Sequence, residues 1–235
     1  MGFSIASYFK GLVGLVYPDL CIACVKESPV KGDDFCVDCL AEMPLTTHLD
    51  VQDNDFVYHF YGRIPIIHGA ALLNFYKGNM VNTMLYRLKY EGKKRVGERL
   101  GLWLGQEIEK SAFFKKVNLI IPVPIHQKRK IKRGYNQSLV IANALSKVLD
   151  IPVYHDVLLK HLETATQTKK TRSQRTLDLL DTLNLKNPDR LLGKHILIVD
   201  DVMTTGATLE ACALKLQEID GVTFSLVTLA ITKTI

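Results

Sequence analysis

Ile196-Leu197-Ile198-Val199-Asp200-Asp201-Val202-Met203-Thr204-Thr205-Gly206-Ala207-Thr208 is the most informative stretch of this chain. Ile196 to Val199 reads as a short strand buried on both faces. Two adjacent carboxylates follow at its carboxyl end. Such a pair repels itself, so it needs a cation or hydroxyl partner. Adjacent side chains on extended backbone point opposite ways, so a local turn has to bring them to one site or give them separate roles. A vicinal sugar diol suits the pair, because each carboxylate accepts from an O–H. A magnesium ion bridging that diol would relieve the repulsion further. Thr204 to Thr208 then supplies hydroxyls, backbone N–H groups and a glycine that permits a tight turn. A helix is predicted from about Ala207 to Glu218, and its positive end suits a phosphate monoester. Diol reader and phosphate cradle are separated by about the reach of one ribose 5-phosphate. The competing reading is a solvated turn with a helix cap.

Outward from this segment, strands and helices alternate. Val222 to Ile231, after Gly221, reads as a last strand. Upstream, Val117 to Val123 is a second doubly buried strand, and Asn136 caps a helix running to Leu149. Val153 to Leu159 reads as a further strand. Lys160 to Asp178 is polar with almost no apolar periodicity. Nearer the start, Phe56 to Tyr61 and Ala70 to Tyr76 read as strands, punctuated by Gly62, Pro65 and Gly69. Met80, Val81, Met84, Leu85 and Leu88 recur at helical spacing until Gly92. A second helix spans Lys94 to Lys110, with Val96, Leu100, Leu104 and Ile108 on one face. This alternation predicts a parallel α/β sheet, and ligands of such sheets bind beyond the carboxyl ends of the strands. The places to search are just past Val123 and just past Val199.

Past Val123 the chain reads Pro124-Ile125-His126-Gln127-Lys128-Arg129-Lys130-Ile131-Lys132-Arg133, and five of the six residues from Lys128 are basic. A basic loop alone is usually a solvated face; its place at a strand end makes an anion site worth weighing. Charge is uneven along the chain. Residues 1–60 hold nine acids and three Lys/Arg, whereas the remainder holds fifteen acids and twenty-seven Lys/Arg. An acidic head on a basic body points to two units with different partners.

The head contains Cys21, Cys24, Cys36 and Cys39, two C-x-x-C pairs separated by eleven residues. Two such turns can close a tetrahedron around zinc. Disulfides would need an oxidising compartment, and a redox C-x-x-C does not usually come doubled. Four sulfur ligands leave no open position, so the expected zinc is structural. Metal binding should supply most of the folding free energy of so short a segment. Cys212 lies far off on a predicted helix and reads as a small buried apolar residue. With 47% apolar and 23% charged residues over 235 positions, disorder and low-complexity architectures are excluded. No apolar run approaches the roughly 20 residues that cross a bilayer. Gly11 to Tyr17 lacks the flanks of a secretory signal, so an amphipathic first helix and a cytoplasmic location, free or peripheral at the inner membrane face, are expected.

The Asp200 to Thr208 segment resembles the phosphoribosyl-diphosphate (PRPP) loop of type I phosphoribosyltransferases. The resemblance implies that Asp200 and Asp201 hold the ribose hydroxyls, with catalytic roles, and that Thr204, Thr205, Gly206, Ala207 and Thr208 hold the 5-phosphate. Pro122-Val123-Pro124-Ile125-His126, with Arg129 and Arg133-Gly134-Tyr135-Asn136-Gln137, is similar to the signature of the ComF family. That bacterial phosphoribosyltransferase-like group is associated with DNA uptake in natural competence, and its members commonly carry an N-terminal four-cysteine zinc module. Leu88-Lys89-Tyr90-Glu91-Gly92 and Thr166 to Arg175 resemble two further motifs of the family, the second its hood. The hood departs from the family pattern after Arg175, where this chain reads Thr176-Leu177-Asp178.

The resemblance implies a type I phosphoribosyltransferase-like parallel sheet flanked by helices over residues 53–235. Residues 1–52 would form an amphipathic helix and a small zinc-ribbon-like module. His126, Lys128, Arg129 and Arg133 would hold the leaving diphosphate, with Lys160, Lys169, Arg172 and Arg175 closing over it. The implied activity is a glycosyltransferase reaction, magnesium-dependent phosphoribosyl transfer from PRPP or a related ribose phosphate to an unnamed acceptor. The alternative is a non-catalytic PRPP- or nucleotide-binding adaptor that binds single-stranded DNA within the competence machinery. No base-specificity loop is recognisable, which weighs against ordinary purine or pyrimidine salvage. Tyr86, Tyr90, Trp103 and Tyr135 read as scattered aromatics that could all be core.

Overall fold

The computed structural model describes residues 20–161 and 172–233. The expected first helix and Lys169 lie outside these residues. In chain order the elements are α1 (Val37–Ala41), α2 (Asp55–Tyr58), β1 (Gly69–Phe75), α3 (Met80–Tyr90), α4 (Lys94–Lys110), β2 (Leu119–Pro122), α5 (Gln127–Arg133) and α6 (Gln137–Leu149). They continue with β3 (Leu158–Lys160), α7 (Arg172–Leu180), β4 (Leu183–Leu185), β5 (His195–Met203), α8 (Ala207–Leu216) and β6 (Thr223–Thr232). Strands β1, β6, β5 and β2 form one sheet in that order, every pair parallel. The expected helix-flanked parallel sheet is therefore present.

Its strands are buried on both faces because helices cover both. Leu197 and Val199 of β5 pack in one core with Leu88, Leu100 and Ile141 from α3, α4 and α6. Ile196 and Ile198 pack in the other core with Leu209, Ala213 and Leu216 of α8. Register sets the functional end. Pro122 is the last β2 residue and pairs with Val199, whereas β6 stays paired with β5 through Met203 and Ile231. Beyond Val199, β5 is thus backed by β6 on one side and open on the other. The strand does not stop at Val199 as the sequence implied. Pairing with the long β6 carries it on, so the acid pair lies in extended backbone.

Helix α6 is seated by two devices. Asn136 caps it as expected: its Oδ1 accepts from the Ser138 N–H at 3.0 Å, and its Nδ2 donates to the Val123 carbonyl at 3.0 Å. Gly97, Gly101 and Gly105 give α4 a flat stripe facing α6 and its surroundings. A Cβ at Gly101 would lie 2.8 Å from Ala144 Cβ and 3.1 Å from the Ile141 carbonyl oxygen. The close approach holds the start of α6, and Ser138 with it, against the end of β5.

Three sequence expectations change. Phe56 to Tyr61 is not a strand; it opens with helix α2. Asn54 Oδ1 accepts from the Val57 N–H at 3.0 Å, and Phe56 and Phe60 are fully buried while Tyr58 between them is exposed. Burial four residues apart is helical, whereas alternation would have buried Tyr58 too. Val153 to Leu159 is not a continuous strand. Val153 makes a lone bridge to Ile120, and Leu158–Lys160 pairs antiparallel with β4 in a separate two-stranded sheet. Within the polar segment, Arg172–Leu180 is helical and packs on α8.

The cysteine head shares a core with the body. Cys21, Cys36 and Cys39 cluster with Met84 and Leu88. Asp33 receives a forked bond from Arg99 at 3.1–3.3 Å, and Asp34 pairs with Arg95. Phe35 meets Trp103 edge to face at 6.0 Å. Part of the head's negative charge is therefore matched by arginines of α4.

Candidate functional site

A cavity of about 370 Å³ opens where β2 and β5 end. Asp200, Asp201, Thr204 and Thr208 line it from β5 and the following loop. His126, Arg129 and Arg133 line it from the β2 side, and Lys160 from the end of β3. Eight residues singled out in the sequence thus converge on one space. Thr205, Gly206 and Ala207 sit beside it in a 30 Å³ depression formed with Thr204 and Thr208. Gly206 adopts φ 76°, the left-handed conformation that favours glycine, immediately before α8. The first-turn N–H groups of a helix have no intrahelical partner, so this loop presents donors together with three threonine hydroxyls.

The two acids have different partners, as extended backbone requires. Asp200 Oδ1 accepts from Ser138 Oγ at 2.8 Å and from the Asp201 N–H at 2.9 Å. Burial first, and then the Asp201 charge, push the Asp200 carboxyl up to about 7. Asp201 Oδ2 lies 3.2 Å from Lys89 Nζ, close enough for an ion pair but without hydrogen-bond alignment. A buried carboxylate oxygen with no hydrogen bond, on a cavity wall, fits a hydroxyl donor or a cation. Four cations, Lys89 (beside Asp201), Arg129, Arg133 and Lys160, share the cavity lining with two acids, so the space favours an anion with several charges. Burial and the nearby Arg129 charge lower the Lys160 ammonium from its ordinary range.

The basic stretch is a helix, α5, and this sorts its residues. Arg129 and Arg133, one turn apart, line the cavity, and Arg133 also donates to Gln137 Oε1. Lys128 falls off that face and is not among the lining residues. His126 caps α5: its Nδ1 accepts from the Lys128 N–H at 3.2 Å, which leaves Nε2 for the cavity. Beyond the hood motif, Leu179 of α7 reaches the cavity wall. Arg172 opens α7, and Arg175 is exposed and does not line the cavity.

Lys89, Tyr90, Gln137 and Ser138 are site residues that sequence reasoning did not assign. Lys89 and Tyr90 stood in the Leu88 to Gly92 motif, which could have flagged them; Ser138 carried no signal apart from its place after the capping Asn136. Tyr86 and Tyr90 are not core. They are 56% and 66% exposed, with rings 5.1 Å apart, and the Arg133 guanidinium lies 5.7 Å over the Tyr90 ring.

The four cysteine sulfurs all lie within 4.8 Å of one another, and Cys24 Sγ is 3.9 Å from Cys36 Sγ. Tetrahedral zinc with bonds of about 2.3 Å would space its sulfurs about 3.8 Å apart, so the donor set fits zinc in kind, number and spacing. Cys212 is buried in α8, as expected, and burial raises its thiol. No helix among the described residues is long and apolar enough to cross a membrane.

Residues 135–232 match the phosphoribosyl transferase domain family. That span contains the acid pair and the threonine loop. The chain is 27% identical over 143 residues to Competence protein F of Haemophilus influenzae, covering 59% of this chain and 62% of that one. It is 29% identical over 136 residues to the DNA utilization protein YhgH of Escherichia coli O157:H7, covering 57% and 59%. It is 30% identical over 147 residues to Competence protein ComFC of Bacillus subtilis, covering 60% and 55%. The chain therefore spans 55–62% of the length of these relatives. A match to the phosphoribosyl transferase domain family behind a four-cysteine cluster, with relatives that carry competence and DNA-utilization names, makes this chain similar to Competence protein F and ComFC.

Proposed function

We propose that the cavity binds PRPP, or a closely related ribose phosphate, with magnesium, and transfers the phosphoribosyl group to an acceptor. The observation that carries this reading is the convergence of the acid pair, the threonine loop and four cations on one cavity at the end of β5. In the bound state Asp200 and Asp201 accept from the ribose hydroxyls. The 5-phosphate sits on Thr204 to Thr208, at the start of α8. His126, Arg129, Arg133 and Lys160 take the diphosphate. Magnesium, when bound, would neutralise the diphosphate and offset the repulsion between the acids. Transfer breaks the bond from ribose C1 to the diphosphate oxygen, and the diphosphate leaves with the electron pair. The arginines stabilise the charge that grows there, and the acceptor's lone pair forms the new bond to C1. Water has to be kept from the oxocarbenium-like centre, which gives the hood its purpose. Zinc-binding thiolates fit a reducing compartment, so the reading places the protein in the cytoplasm.

Thermal unfolding tests the pocket. Magnesium plus PRPP at 100 times its dissociation constant adds about 2.7 kcal/mol to the parent protein. Asp200→Asn/Asp201→Asn loses that shift; an equal shift in this variant rejects the assignment. Release of diphosphate across a panel of acceptors then separates an enzyme from a binder.

A second reading, an adaptor for single-stranded DNA, is favoured by the exposed Tyr86–Tyr90 pair. Bases stack on aromatic faces for about 1–3 kcal/mol each, and Arg133 lies beside Tyr90 to meet the backbone. Salt-dependent retention of single-stranded DNA that survives Tyr86→Ala/Tyr90→Ala would remove this support.

A further inference from the structure

The last turn of α3 touches two sites at once. Arg87 Nη1 donates to the Ile22 carbonyl at 2.7 Å, between Cys21 and Cys24. The Leu88 carbonyl accepts from the Tyr135 hydroxyl. Lys89 Nζ lies 3.2 Å from Asp201, and Tyr90 lines the cavity. Four consecutive residues of one helical turn are thus tied to the cysteine head, to Tyr135 ahead of the α6 cap, to the acid pair and to the cavity wall. The turn cannot rotate or slide for one anchor without moving the others.

We propose that this turn couples the four-cysteine cluster to the cavity, with Arg87 as the positioning residue. The proposal rests on the zinc reading of the cysteines and, for its ligand arm, on the ribose-phosphate reading of the cavity. Closing four thiolates on zinc fixes the knuckle whose Ile22 carbonyl receives Arg87. Arg87 in turn sets where Lys89 meets Asp201 and where Tyr90 stands. The head is also held to the body by Asp33 to Arg99 and Asp34 to Arg95, but both end on α4, and no α4 residue lines the cavity. Arg87 and Arg99 therefore hold the same head with different consequences. One bond leads to the site and the other does not.

Linkage is reciprocal: whatever tightens at the cavity must tighten zinc by the same factor, typically about 5- to 150-fold. The full zinc-loaded chain tests this. Trp103, the single tryptophan, sits 6.0 Å from Phe35 of the head and reports the junction by its fluorescence. In the parent, saturating PRPP with magnesium should slow chelator-driven zinc release about tenfold. Arg87→Met should keep one zinc per chain, bind PRPP about tenfold more weakly, and lose the protection. Arg99→Met should loosen the head by tryptophan emission yet keep parental PRPP affinity. Parental affinity and protection in Arg87→Met would overturn the coupling.

A ligand-free arm separates the two readings. Lys89→Met cuts the cavity-side anchor and should accelerate zinc release from a chain that never meets PRPP. Should the parent fail to bind PRPP, the ribose-phosphate reading falls and this arm decides the coupling. It also decides if Arg87→Met does not fold. Equal zinc release from the parent and Lys89→Met overturns it.

Discussion

The cysteine cluster and the acid pair are both crowded groups of potential anions, and they differ in what closes them. Four sulfurs face one another within 4.8 Å, matched in kind and number to one tetrahedral metal, with no position left for a substrate. Two carboxylates at the end of β5 instead stand on the wall of a 370 Å³ cavity whose lining also holds four cations. A self-closed cluster belongs to folding; an open one belongs to a ligand that arrives with its own charges and hydroxyls. The contrast also predicts opposite responses. Removing a ligand from the closed cluster should destabilise the protein, whereas removing a charge from the open one should stabilise it.

The largest effect is expected at the head. Structural zinc contributes about 10–16 kcal/mol of binding free energy in small zinc modules. Cys36→Ser should abolish the one zinc per chain that metal analysis of the parent is expected to give. It should also lower the melting temperature steeply, because Cys36 shares its core with Met84 and Leu88. Full zinc content or an unchanged melt in that variant would break the comparison.

Asp200→Asn should act in the other direction. The folded-state value of about 7 lies above the ordinary value of 3.8, so the folded chain binds the extra proton between them. The contribution of Asp200 to stability is present below about pH 4 and is lost as pH rises through about 7. The variant carries no such loss. Its advantage over the parent should be absent near pH 4, grow toward pH 7, and level off above it at up to a few kcal/mol. Paired melts across that range check the sign; an advantage that shrinks with rising pH contradicts the burial argument.

Gly101→Val should cost about 1–3 kcal/mol by overpacking α4 against α6. Because α6 carries Ser138, the same change should weaken ligand binding at a distance, and calorimetry can read both. The smallest effect is expected at Lys128. Lys128→Ala, off the cavity face of α5, should leave PRPP affinity within about twofold of the parent, whereas Arg129→Ala should lower it about tenfold. Equal losses would mean that α5 presents a different face when ligand is bound.

The two regions were also unequally legible in the sequence. The cysteine spacing and the β5 segment announce themselves because their chemistry is local: the ligands and the loop lie within a few residues of each other. Legibility failed where contacts are long-range. Lys89 reaches Asp201 across 112 positions, and Ser138 reaches Asp200 across 62. Neither pairing leaves a periodic trace. The glycine stripe of α4 is less conspicuous than its apolar face, although Gly97, Gly101 and Gly105 recur every four residues. As a loop, the basic segment puts Lys128 level with Arg129; as a helix, it separates them. Aromatic content at Phe56 and Phe60 mimics a strand and masks the Asn54 cap. Residue type alone suggests core for Tyr86 and Tyr90, whereas their spacing of four puts them on one helix face, which is exposed.

A crystal structure of the protein soaked with PRPP and magnesium bears on the central claim most directly. The account predicts density with the 5-phosphate on Thr204 to Thr208, the ribose hydroxyls on Asp200 and Asp201, and the diphosphate toward Arg129 and Arg133. Density elsewhere on the molecule, or none at saturating ligand, would contradict it.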